Sequence, residues 1–160
     1  MITINSYSDI YRDGVAKLIL PIQQQEFGLA ISLQDQPDLV DIPNFYQSGR
    51  GNFWLALAQD EVVGSISLRD IGNRQGALRK MFVQAPFRGR EHQVAQRLLQ
   101  TLIDWSRAQG LQEVFLGTTA AFLAAHRFYE KNGFAEITPA HLPVAFPRMA
   151  LDTKFYRLSL

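Results

Sequence analysis

Arg88, Gly89 and Arg90 fall between a short apolar stretch ending at Val83 and an amphipathic stretch that runs to Trp105. Chains build anion sites in this way. The first turn of a helix has unpartnered backbone N–H groups and the positive end of the helix dipole. A strand, a turn and a helix in succession therefore suit an anion such as pyrophosphate, and two guanidinium groups add charge-assisted hydrogen bonds to it. A solvated basic turn ahead of a surface helix satisfies the same residues without any ligand. Other chemistries are quickly bounded. The chain has no cysteine, which removes disulfides, thiolate metal ligands and a cysteine nucleophile. His92, His126 and His141 lack ligand spacing, so no metal is expected. Ser65 and Ser67 lie in a strand pattern with no evident base. Arg88, Arg90 and Arg97 have no interleaved aromatics, and a net charge of +1 gives no bulk attraction to polyanions. Neither a nucleic acid nor a membrane is an expected partner.

The elements that must position these residues follow from periodicity. At 160 residues, 47% hydrophobic and 19% charged, the chain suits one globular domain spanning residues 1–160. Ile2 to Ile4 reads as a strand. Ser8 or Asp9 opens a helix carrying Val15, Leu18, Ile19 and Ile22, with Pro21 as a kink or break. Gln34 to Ser48 reads as a short helix and loops. Residues 53–58, 62–68 and 77–83 form a three-strand meander, its first turn at Gln59-Asp60-Glu61. After Arg90 the period is helical, with Val94, Leu98, Leu102 and Trp105 on one stripe and Gly110 as the terminal cap. Glu113 to Gly117 is an apolar, central strand. Thr118 or Thr119 then caps a helix from about Ala121 to Lys131, and residues 134–137 and 155–160 are the last strands. The fold class is α/β: a mixed, mostly antiparallel sheet of about six to seven strands, flanked by helices. The first residues have no basic segment leading into an apolar run, and no stretch is long enough for a bilayer, so a soluble, cytoplasmic protein is the expectation.

Two stretches carry a family resemblance. "RKMFVQAPFRGREHQVAQRLL" followed by "AAHRFYEKNGF" resembles the GNAT superfamily of acyl-CoA-dependent N-acyltransferases. The first stretch is similar to the family's acyl-CoA motif, in which Gln or Arg is followed at fixed spacing by two small residues. Here that pattern falls on Arg90, Gln93 and Ala95. Gln93 departs from it, and a helical position at Gln93 would tolerate glutamine because positive φ is not needed there. The resemblance implies acetyl-CoA as cosubstrate. Its pyrophosphate would lie on the backbone and side chains of Arg88, Gly89, Arg90, Glu91, His92, Gln93, Val94, Ala95 and Gln96. Its pantetheine arm would lie along Met81, Phe82 and Val83, adding to the sheet edge as a peptide does.

The second stretch is similar to the family helix whose tyrosine protonates the departing thiolate, and that place is held by Tyr129. Tyr129 also shares a helical face with Phe122 and Ala125, as a core aromatic would. Phe122 stands where the family often has a cofactor-contacting asparagine, and Thr118 is the alternative hydroxyl. Glu26 and Glu113 are the candidate bases that would take the amine's proton, Glu26 being preferred. The expected function is transfer of an acetyl group to a primary amine of a small molecule or peptide by direct attack, by a monomer or homodimer. A non-catalytic acyl-CoA-binding or sensor domain on the same fold is the alternative.

Overall fold

A computed structural model describes residues 1–160. Seven strands form one sheet in the order β1-β2-β3-β4-β5-β7-β6: β1 (Ile2–Ser6), β2 (Asn52–Ala58), β3 (Glu61–Asp70), β4 (Gln75–Val83), β5 (Glu113–Thr118), β6 (Ala135–Ile137) and β7 (Lys154–Ser159). Only β4 and β5 run parallel, joined by the long helix between them, and every other neighbour is antiparallel. The expected fold class holds.

Alternation along β2 sets the two layers. Phe53, Leu55 and Leu57 pack with Val15, Leu18, Ile19 and Ile22 of α1 (Arg12–Pro21) and its extension. Leu39, Ile42 and Tyr46, from α2 (Pro37–Val40) and α3 (Ile42–Phe45) with its C-terminal cap, join the same face. Trp54 and Ala56 point the other way, onto Val94, Leu98, Leu99 and Leu102 of α4 (Val94–Ala108). Tyr129 of α5 (Leu123–Lys131) belongs to that second layer.

Several local expectations are corrected. Neither Ser8 nor Asp9 caps α1 with its side chain; a 3-10 turn, Asp9–Tyr11, precedes it. Pro21 ends α1 without breaking the path, because the chain widens into a π-turn, Ile22–Glu26. Proline has no N–H for the regular i→i−4 ladder, and the wider turn accommodates its absence. The first hairpin turns on two residues, Gln59 (φ 50) and Asp60 (φ 66), the geometry that matches strand twist. Neither Thr118 nor Thr119 caps α5, which starts at Leu123 with Phe122 before it and no side-chain cap. Thr118 is instead the last residue of β5, paired with Lys154.

One irregularity matters beyond its strand. Between Ser67↔Arg79 and Ser65↔Phe82, β4 carries an extra residue, and Lys80 takes φ 51. This is a β-bulge, which bends the strand and increases its twist. The carbonyls it displaces are met by two buried hydroxyls: Ser67 Oγ donates to Arg79 O at 2.6 Å and Ser65 Oγ to Lys80 O at 2.8 Å. The serines are thereby structural. Ser67→Ala leaves a carbonyl of the bulge without its donor, and should lower the unfolding free energy in urea titration by about 1–3 kcal/mol.

Candidate active site

Beyond Ala77↔Phe115, β4 and β5 no longer pair. The bulged half of β4 swings away, and a cleft of about 690 Å³ opens in the fork. Its walls are Leu78–Val83 of β4, Leu116–Thr118 of β5, the residues leading into α5 with Tyr129, and Ile22 and Glu26 of the π-turn with Phe27 that caps it. The size suits a small ligand or an extended arm. Met81, Phe82 and Val83 line the splayed edge, where β4 has no strand partner on its β5 side. Such an edge offers main-chain groups to an amide-bearing chain.

At the outer end lies the basic turn. The helix begins later than the motif suggests: α4 starts at Val94, and Gln93 before it takes φ 54, in the left-handed region. The expectation of a helical Gln93 is therefore wrong. Glycine suits this position for conformational reasons, since only a residue without Cβ adopts positive φ freely. Gln93 folds back instead, its Nε2 donating to Arg90 O at 3.1 Å. With no side-chain cap on α4, the N–H groups of Val94, Ala95 and Gln96 have no protein acceptor. Val94 is 1% exposed as a whole residue and its side chain packs in the core, so any contact it makes with a ligand is through its backbone N–H. The Gln96 side chain is likewise engaged, Nε2 donating to Asn132 Oδ1 at 2.8 Å. Gly89, Arg90 and Glu91 are exposed, and His92 rests against the Phe87 ring at 5.4 Å.

Arg88 connects the turn to the cleft. Its Nε donates to Val83 O (2.7 Å), while Nη1 and Nη2 take the two carboxylate oxygens of Glu26 at 2.8 and 3.1 Å. Glu26, preferred as base, thus reaches the cleft as one half of a bidentate pair. Glu113 is elsewhere, at the paired end of β4 and β5, beside Gln75 Nε2 (3.0 Å) and Arg157 Nη1 (3.7 Å).

Tyr129 is held from three sides. Its helix ends in a Schellman turn: Gly133 takes φ 93, Phe134 N donates to Tyr129 O (3.1 Å) and Gly133 N to Glu130 O (3.2 Å). That turn folds the Phe134 ring to 5.6 Å from Tyr129, and Tyr156 flanks it at 6.0 Å. The hydroxyl donates to Met81 Sδ at 3.8 Å, across the cleft on β4. Burial pushes its pKa up from 10.0 to about 12. His126 is not a cleft group, since it is buried with Nε2 bonded to Thr119 O at 2.7 Å. Phe122 packs on Phe27 (4.6 Å) at the cleft wall. The residue that sequence reasoning missed is Asp152, which lines the cleft from the segment before β7 and has no motif around it.

Two outcomes are expected. Gln93→Val, β-branched at positive φ, should lower the melting temperature by an amount equivalent to about 1–2 kcal/mol, whereas Gln93→Gly should not. The second concerns pH. Tyr129 has a folded pKa above its unfolded one, so its contribution to stability is intact below pH 10 and is lost as pH rises toward 12. Denaturant titrations across that window should show stability falling with pH, and falling less steeply in Tyr129→Phe.

No helix of the chain is long and apolar enough to cross a membrane. Comparison with known proteins bears on the cleft. The family model described as "Acetyltransferase (GNAT) family" matches residues 18–134. The N-acetylaspartate synthetase of Danio rerio is 31% identical over 125 residues, which are 76% of this chain and 44% of that protein, so the chain spans less than half of its length. An acetyltransferase of the GNAT family from Staphylococcus aureus Mu50 superposes with a TM-score of 0.93 at 36% identity, covering 99% of both chains. The PaiA N-acetyltransferase of Thermoplasma acidophilum, solved in complex with coenzyme A, shares the fold at TM-score 0.74 and 15% identity over 100% of this chain and 99% of that one. With a family model matching most of its length and a full-length structural relative above 30% identity, the chain belongs to the GNAT family of acetyltransferases.

Proposed function

We propose that the chain is an N-acetyltransferase that moves the acetyl group of acetyl-CoA to a primary amine of a small molecule or peptide by direct attack. One observation carries the reading: the hydroxyl of a buried tyrosine meets the bulged strand inside the sheet fork, with a helix start at the outer end of the same strand. The N–H groups of Val94, Ala95 and Gln96 and the spare donors of Arg88 would hold the pyrophosphate. Arg90 stands next to them, exposed on the same turn. Met81, Phe82 and Val83 would pair with the pantetheine amides, which brings the thioester toward Tyr129. A phenol stays protonated at neutral pH and delivers its proton to the departing sulfur. Thr118 ends the opposite wall and offers a hydroxyl there. The Glu26–Arg88 pair closes the mouth and fixes the π-turn against β4.

Direct attack is favoured because the serines nearest the fork are occupied by the bulge and no cysteine exists. The name of the Danio rerio relative, N-acetylaspartate synthetase, puts aspartate first among acceptors to try. The test is CoA release from acetyl-CoA with a panel of amino acids, polyamines, aminoglycosides and peptides. At least one amine should stimulate release, and Tyr129→Phe should lower kcat for it by about a hundredfold. If acetyl-CoA raises the melting temperature and no amine stimulates release, the chain is a binding or sensor domain. If acetyl-CoA leaves melting unchanged, the cofactor cleft is misassigned.

A further inference from the structure

One wall of the fork has no part in the roles above. Asp152 lies on the segment that leads into β7, and its carboxylate reaches across to β5: a Cβ added at Gly117 would lie 2.5 Å from Asp152 Oδ2. Gly117 pairs with Phe155 and stands two residues beyond Phe115, the last β5 residue paired with β4. The carboxylate therefore stands where the two strands have parted, against a β5 residue that has no side chain to obstruct it. It lines the same cleft as Tyr129, Met81 and Arg79.

The other carboxylates near the fork are committed. Both oxygens of Glu26 are taken by Arg88. Asp38 accepts from the Tyr46 hydroxyl at 2.6 Å and stands 3.6 Å from Lys80 Nζ, with its side chain 6% exposed. Asp152 Oδ2 accepts from the Met149 N–H at 3.0 Å, and Oδ1 has no protein partner. Asp152 is thus the cleft carboxylate with a lone-pair oxygen to spare.

We propose that Asp152 is the base of the acetyl transfer, its Oδ1 taking a proton from the ammonium group of the acceptor amine. The inference rests on the acetyl-transfer reading above. The freed nitrogen lone pair attacks the thioester carbonyl, forming the C–N bond as the C–S bond breaks. Tyr129 gives its proton to the departing sulfur and regains one from the nitrogen as the amide forms. Asp152 passes its proton to water, so the sum is one amide, one thiol and one released proton.

The electrostatic setting suits the role. Partial burial raises the Asp152 pKa, against the lowering influence of the Met149 N–H, Arg79 of β4 and Arg148 on its own loop. From β5 the carboxylate faces Gly117, which carries no charge. Asp152 also closes a turn with Met149, its N–H donating to Met149 O at 3.1 Å. Asn in its place keeps an acceptor for the Met149 N–H and cannot take a proton.

The experiment measures CoA release by the wild type and by Asp152→Asn with two acceptors, ethylamine and hydroxylamine. Ethylamine is an ammonium ion at neutral pH and needs the base, whereas hydroxylamine is already uncharged. Asp152→Asn should lose about a hundredfold in kcat with ethylamine and less than about threefold with hydroxylamine. The ethylamine loss should shrink as pH rises toward the ionisation of the amine itself, and Asp152→Glu should recover part of the rate. Equal losses with both acceptors, or no loss with either, overturn the base assignment and leave acetyl transfer standing. If the wild type uses neither acceptor but does use an amine of the wider panel, that amine replaces ethylamine, and the Asp152→Asn loss should shrink as pH rises toward its ionisation. A wild type that releases CoA with no amine of the panel, while acetyl-CoA still raises its melting temperature, overturns the acetyl-transfer reading and the base role with it.

Discussion

The extra residue in β4 is the constraint on which the rest depends. A strand that paired regularly with β3 would lie flat beside β5 along its whole length, and there would be no fork. By placing Lys80 at positive φ, the bulge bends β4 away after Ala77, and the parallel pairing stops. Positive φ on a lysine costs about 1–2 kcal/mol and persists only where its surroundings hold it. They do so here from two directions. The hydroxyls of Ser65 and Ser67 fasten the displaced carbonyls, and the Lys80 ammonium is anchored at 2.7 Å to Gln36 Oε1 and beside Asp38. Gln36 is itself locked to Gln23 by two amide hydrogen bonds at 2.9 Å. Burial lowers the Lys80 pKa, because the bulge holds this cation away from water.

A second coupling runs through the helices. Gln96, in the first turn of α4, bonds Asn132 at the C-cap of α5, and Asn132 Nδ2 donates back to Phe128 O at 2.8 Å. The start of one helix and the end of the other are therefore joined. The first carries the unpartnered N–H groups and the second carries Tyr129. The first turn of α4 and the last turn of α5 are thus held in a fixed relation. The link is a short one, through two amide side chains.

What the sequence made legible is what periodicity and turn chemistry encode. All seven strands, the α4 stripe and the Gly110 and Gly133 terminations were readable, because they are local and repeat at 2.0 or 3.6 residues. Three things were not. Nothing local marks Gln93 as left-handed, since glutamine has no preference for that region, so the helix start was placed too early. A threonine near a helix invites a cap, yet Thr118 is held in β5 by β7, a partner some forty residues away in the sequence. Asp152 stands in a loop without a motif, and only the pairing of β7 with β5 brings it to the fork. Candidate bases on the π-turn and β5 were visible as charges, but their partners Arg88, Gln75 and Arg157 were not.

The fork also sets the acid–base balance within it. Desolvation raises the pKa of both Tyr129 and Asp152. For a carboxylate that makes a stronger base. For a phenol it makes a weaker acid, which holds its proton firmly until a stronger acceptor arrives. A solvated thiolate would not be that acceptor. A thiolate formed in the same cleft would come nearer to it, because the lack of water raises its proton affinity as well. On the proposed reading, the exclusion of water that raises the Tyr129 pKa also raises that of the sulfur beside it, so the gap between the two does not widen by the full shift of the phenol. Removing the pair's shared burial, by straightening β4, would lower both pKa values together, leaving the carboxylate a weaker base and the phenol a stronger acid.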